Sequence, residues 1–156
     1  MPIKLNTPAS EVDTSDPKFA PMLENLQANI LKPHGRDNAR HVFLRFTAPA
    51  SAVKGWIRST LMPMITTAEN QLSTAPDTDG GLVTTFFLSA QGYRHLGFKT
   101  SGFASGTFRD GMKHQKDSLF DPLFDRDNKD PEPKKWEPGF QQEIHALIAL
   151  ADDRIG

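Results

Sequence analysis

The sequence predicts an α+β sandwich in which helices cover one face of an antiparallel sheet. Three observations carry that prediction. From Arg40 to Thr47 the polarity alternates, His41, Phe43 and Arg45 against Val42, Leu44 and Phe46, which is the period of a half-buried strand. From Gly81 to Leu88 the run GLVTTFFL is β-branched and aromatic, the composition of a second strand. From Glu143 to Asp152 the run EIHALIALAD is almost continuously apolar, as in a central strand buried on both faces.

Taken in order, residues 1 to about 20 are polar and carry Pro2, Pro8 and Pro17, so they read as an extended arm preceding a domain over 21–156. Leu23, Leu26, Ile30 and Leu31 then recur on one face of a helix from about Met22 to Leu31, which Pro33 and Gly35 end. After the first strand, Thr47 or Ser51 caps a second helix with Pro49 in its first turn. Val53, Trp56, Ile57, Leu61 and Met64 give that helix an apolar stripe, and Val53, Trp56, Ile57 and Leu61 are the expected core. Pro63 ends or bends it. Residues 66–81 are rich in Thr, Ser, Asp and Gly and read as a loop.

Ser89 caps a short helix through Tyr93 to Leu96, which Gly97 closes. Residues 98–138 show little periodicity and read as a long irregular stretch with apolar anchors such as Phe108 and Trp136. Only three strands are legible. A four-stranded sheet would need one more, within 66–80 or 98–138.

Composition excludes several functions. The chain has 156 residues, a length suited to one domain with its own core. Its formal net charge is −1, so no broad basic field attracts nucleic acid or anionic lipid. It has no cysteine, which removes disulfides, thiolate nucleophiles and thiolate-held metal clusters. The first residues hold no apolar core of a Sec signal and no run is long enough to span a bilayer, so a cytoplasmic location is the expectation.

The chemistry-bearing residues read mostly as structural. The five histidines are His34, His41, His95, His114 and His145, and none sits in a metal-ligand spacing. His145 lies in the apolar last strand and reads as a satisfied structural histidine. His34 lies in the PHGRD turn, where it and Arg36 bond backbone groups of the loop. His41 and Arg45 share one strand face with Phe43 between them. That face could bind a ligand, and the preferred reading is the exposed side of a half-covered sheet. Met62, Met64 and Trp56 read as helix core. Asp77, Asp79, Asp125, Asp127 and Asp130 are loop carboxylates. The run from Asp125 has calcium-like alternation but lacks the glycine and terminal glutamate of an EF-hand. No metal site and no catalytic residue is assigned.

Three stretches carry a resemblance: LQANILKPHGRDNARHVFLRF at 26–46, FFLSAQGYRHLGF at 86–98, and FRDGM at 108–112 followed by Asp121-Pro122, Trp136 and IHALIALADD at 144–153. In this order they resemble the first half of the haem-dependent dye-decolourising (DyP-type) peroxidases. The resemblance implies a ferredoxin-like half of a dimeric α+β barrel. In that family the GxxDG motif with its acid–base aspartate, the proximal haem histidine and the distal arginine come later than the strand at 143–152. None is matched up to Gly156. The run Gly106-Thr-Phe-Arg-Asp-Gly111 imitates the motif but has one residue too many and precedes the last strand, so catalysis is not transferred to Asp110. The expectation is a portion without haem or activity alone, whose partner is a second copy or a complementary C-terminal peroxidase half. The other reading is a free-standing, non-catalytic α+β module that self-associates or binds a partner or small ligand.

Overall fold

The computed structural model describes residues 12–73, 81–111 and 133–153. Among them is one sheet of three strands, β1 (Asn38–Leu44), β2 (Val83–Leu88) and β3 (Ala146–Asp152), in the order β1-β3-β2. It is antiparallel and helices accompany it, the ferredoxin-like α+β arrangement. The most apolar strand is therefore the central one, because a central strand has no edge to offer water. The helices are α1 (Ala20–Asn25), α2 (Ala50–Trp56), α3 (Ala68–Ser73), α4 (Ala90–His95), α5 (Gly106–Asp110) and α6 (Pro138–Gln141).

The chain forms two compact units. The first comprises Met1–Val42, Trp56–Phe86 and Ile148–Gly156; the second comprises Phe43–Gly55 and Phe87–Leu147. In the first unit one core cluster is Phe19, Leu23 and Ala68, flanked by Val12, Met22, Leu26, Leu31 and Leu72, and a second is Ala28, Val83 and Ala151. Phe19 thus belongs to the core, not to an arm. Asp16 caps a 3-10 turn at Pro17–Phe19, and that turn feeds directly into α1.

α1 stops at Asn25, six residues short of the helix expected from its apolar spacing. Tertiary pairing wins there. Leu26 turns extended, Gln27 bridges Thr67, Ala28 N–H donates to Thr66 O and Ala68 N–H donates to Leu26 O. Asn29 then takes φ 67°, a left-handed conformation that asparagine tolerates better than most residues. Gln71 fastens the rest of this loop: its Oε1 accepts from Asn29 N–H, and its Nε2 donates to Lys32 O and Pro33 O. Residues 66–73 are accordingly not a loop. Thr66 N–H donates to Thr84 O of β2, and α3 follows from Ala68. Thr84 N–H donates in turn to Thr66 Oγ1 and Phe86 N–H to Gln27 Oε1, and no fourth strand forms among the described residues.

The helix after β1 begins at Ala50, with Pro49 O accepting from Ala52 and Val53. It then widens into a π-helical turn at Ile57–Leu61 and tightens into a 3-10 turn at Met62–Met64, around Pro63. A π turn adds residues per turn and rotates the following side chains. Val53 and Leu61 are buried as expected, whereas Trp56 is 36% exposed and Ile57 only half-buried, so the expected stripe is not one continuous core face. Met62 and Met64 are exposed rather than core.

Candidate functional site

The second unit contains an open groove of about 1080 Å³. Four aromatic side chains meet on it: Phe43 of β1, Phe108 of α5, Trp136 and Phe140 of α6. Phe43 and Phe140 touch edge to face with centroids 5.3 Å apart. Phe43, Phe108 and Phe140 are 40–46% exposed, so the groove presents open ring faces. Behind it, Tyr93 packs edge-on against Phe98, Phe103 and Phe108.

The groove's two arginines are bonded to the protein itself. Arg94 donates to Gln91 Oε1, Thr100 Oγ1 and Arg109 O, at 3.1, 3.0 and 3.2 Å. Arg109 donates to Phe103 O at 3.2 Å. These bonds brace the turn between α4 and α5. The run GTFRDG itself is a helix with regular ends: Ser105 Oγ accepts from Phe108 N–H, and Gly111 closes it at φ 73°. Asp110 stands exposed at its end.

Each described histidine has a definite place. His34 Nδ1 accepts from Arg36 N–H at 2.9 Å, inside the turn it was expected to brace. His41 is exposed on β1, and Arg45 beyond it donates to Gln142 Oε1 at 2.9 Å. His95 Nε2 lies 2.9 Å from Ala48 O, and a carbonyl can only accept, so that nitrogen carries the proton. His145 is 6% exposed; its Nδ1 accepts from Phe46 N–H at 2.8 Å and its ring stacks on Phe46 at 5.3 Å and 7°. Its pKa is lowered, first by burial, then by His95, with Arg45 adding and Glu143 opposing. His114, Asp77, Asp79, Asp125, Asp127 and Asp130 lie outside the described residues. Among the described residues no three His, Asp or Glu side chains are placed to hold a metal ion. Among them, too, no helix is long and apolar enough to cross a membrane.

The sequence named Phe108 and Trp136 as apolar anchors but could not group them with Phe43 and Phe140. Edge-to-face contacts between residues almost a hundred positions apart leave no periodic trace.

No family model matches the chain. It is 31% identical over 162 aligned residues to a multifunctional dye peroxidase of Amycolatopsis sp., covering 100% of this chain and 32% of that protein. The chain is a partial homologue of the DyP-type peroxidases. The solved DyP-type peroxidase of Anabaena sp. is 37% identical with a TM-score of 0.71, over 87% of this chain and 29% of that one. The solved Amycolatopsis enzyme is 29% identical with a TM-score of 0.73, over 90% of this chain and 29% of its own. The chain thus spans about a third of the length of the DyP-type relatives it matches.

Proposed function

We propose that this chain is the non-catalytic portion of a DyP-type peroxidase fold, holding no haem alone and acting together with a complementary peroxidase half. The observation that supports the reading is where the ring protons sit. An axial imidazole gives iron a lone pair from one nitrogen and steadies itself by donating from the other. His34 and His145 are arranged the other way round. Each uses Nδ1 to accept a backbone N–H, which places the proton on Nε2. His95 donates its Nε2 proton to Ala48 O, and what sets it apart from an axial ligand is its ring, packed against Phe46 and His145. His41 stands exposed on a strand. His34 and His145 therefore do not fit an axial haem ligand. Peroxide cleavage further needs a group that shuttles a proton and a cation beside the developing charge. Arg94 and Arg109 are instead bonded to the protein's own acceptors.

A homodimeric partner is the second reading, favoured by the open aromatic faces of Phe43, Phe108 and Phe140. Reconstitution with excess haem followed by gel filtration tests the first. The expected result is no Soret absorbance eluting with the protein and no dye turnover by peroxide. A stoichiometric Soret band that survives the column would overturn it. The elution volume in the same run distinguishes monomer from dimer.

A further inference from the structure

We propose that His145 is an acid-operated latch: protonation of its Nδ1 releases the residues just after β1 from the start of β3, before the fold as a whole is lost. The geometry is that of a bond that survives in only one protonation state. Phe46 N–H can only donate, and it donates to His145 Nδ1 over 2.8 Å. A proton on that nitrogen would set one N–H against another. The imidazole cannot turn away, because it is stacked on Phe46 and tilted against His95 with centroids 5.1 Å apart.

The charged and titratable groups facing the ring come from three directions. His95 faces it from α4, Arg45 from the end of β1, and Glu143 from its own strand's approach, with Oε2 3.8 Å from Nε2. Burial, His95 and Arg45 all resist a positive charge on His145; only the exposed Glu143 favours one. The closed state therefore holds the neutral ring, and a proton is accepted readily only once the contact opens.

The remaining bonds at this residue do not titrate with it. His145 N–H donates to Leu44 O at 2.8 Å, and His145 O accepts from Ser89 N–H at 3.0 Å. The latch therefore acts on residues 45–48 and leaves the strand pairing at Leu44 in place. His95 holds Ala48 O as a donor, and a donor bond persists whether or not that ring is charged. What acid would expose is Phe46, 9% exposed when the latch is closed. The sign follows from the direction of the shift. A lowered folded-state pKa means that the closed state is fully favoured above the ordinary value of 6.5 and loses ground as pH falls below it.

The test is amide hydrogen exchange followed by NMR on the full chain, corrected for intrinsic rates, between about pH 7.5 and about pH 5. The Phe46 amide is expected to lose protection by about tenfold or more, while the β2 amides keep theirs. The variant His145→Asn puts an amide oxygen where Nδ1 stands and cannot titrate, so the Phe46 step should vanish. Equal loss at Phe46 and β2, or a step that persists in His145→Asn, would overturn the proposal. Should that variant not fold, the nitrogen shifts of the unaltered chain decide: the neutral ring with its proton on Nε2 is expected near pH 7.5, and a proton on Nδ1 refutes the latch.

Discussion

Replacing Gly92 by alanine isolates the closest approach in the second unit. Gly92 sits in α4, whose first turn rests on His145, the residue just before β3. A Cβ there would overlap His145 O and lie 3.0 Å from both His145 C and Leu88 Cδ2. The obstacle is backbone, so it cannot swing aside; the helix must retreat by on the order of 1 Å, as overpacked cores do. Retreat weakens two bonds that His145 O accepts, from Ser89 N–H at 3.0 Å and Ser89 Oγ at 3.2 Å. At about 1 kcal/mol for each bond and about 1–3 kcal/mol for the overpacking, the loss is about 3–5 kcal/mol. Alanine's better helix propensity returns about 1 kcal/mol, leaving a net cost of about 2–4 kcal/mol. Gly55 in α2 supplies the control: a Cβ there meets nothing within 4 Å, so Gly55→Ala should stabilise by about 0.5–1 kcal/mol. Urea unfolding followed by circular dichroism measures both. A Gly92→Ala chain within about 0.5 kcal/mol of Gly55→Ala would refute the close approach of α4 to β3.

Three further outcomes follow from burial and bonding. Leu61→Ala, at a residue 3% exposed, should cost about 3 kcal/mol in the same assay, and Trp56→Ala, at a residue 36% exposed, about 2 kcal/mol, below the range for a fully buried tryptophan. Gln71→Ala removes an acceptor for Asn29 N–H and donors to Lys32 O and Pro33 O, so it should cost about 1–2 kcal/mol and quicken proteolysis within 29–33; unchanged cleavage would count against the bracket. Asp153 accepts from Asp37 N–H and Arg36 Nη1, which hold its carboxyl below the usual value of 3.8. Its contribution is present above that value and fades as pH falls through the lowered one, so Asp153→Asn should flatten the acid limb of the stability curve, and an unchanged limb would contradict the contact.

The elements legible in the sequence are those whose signals are local. Ser89 announces α4 because a cap acts over three residues, and Gly92 N–H does bond its Oγ; Gly97 closes the helix at φ 82°, a conformation few other residues accept. β2 and β3 were visible because side-chain composition reflects which faces are covered, and the uninterrupted apolar run of β3 correctly marked it as central. The order of three family-like stretches was equally readable, and the homology agrees with it.

Everything decided by partners distant in the chain was not legible. The apolar spacing after Leu23 fits a longer helix, but backbone pairing between 26–28 and 66–68, some forty positions away, ends α1 and turns a predicted loop into α3. A π turn at Ile57–Leu61, which has no sequence signature of its own, interrupts the helix between Trp56, 36% exposed, and Leu61, 3% exposed. The sequence placed His145 in an apolar run, but its work as an acceptor depends on Phe46, ninety-nine positions earlier. Periodicity records which side of an element is apolar; only the folded chain determines which backbone group, ring or proton stands opposite.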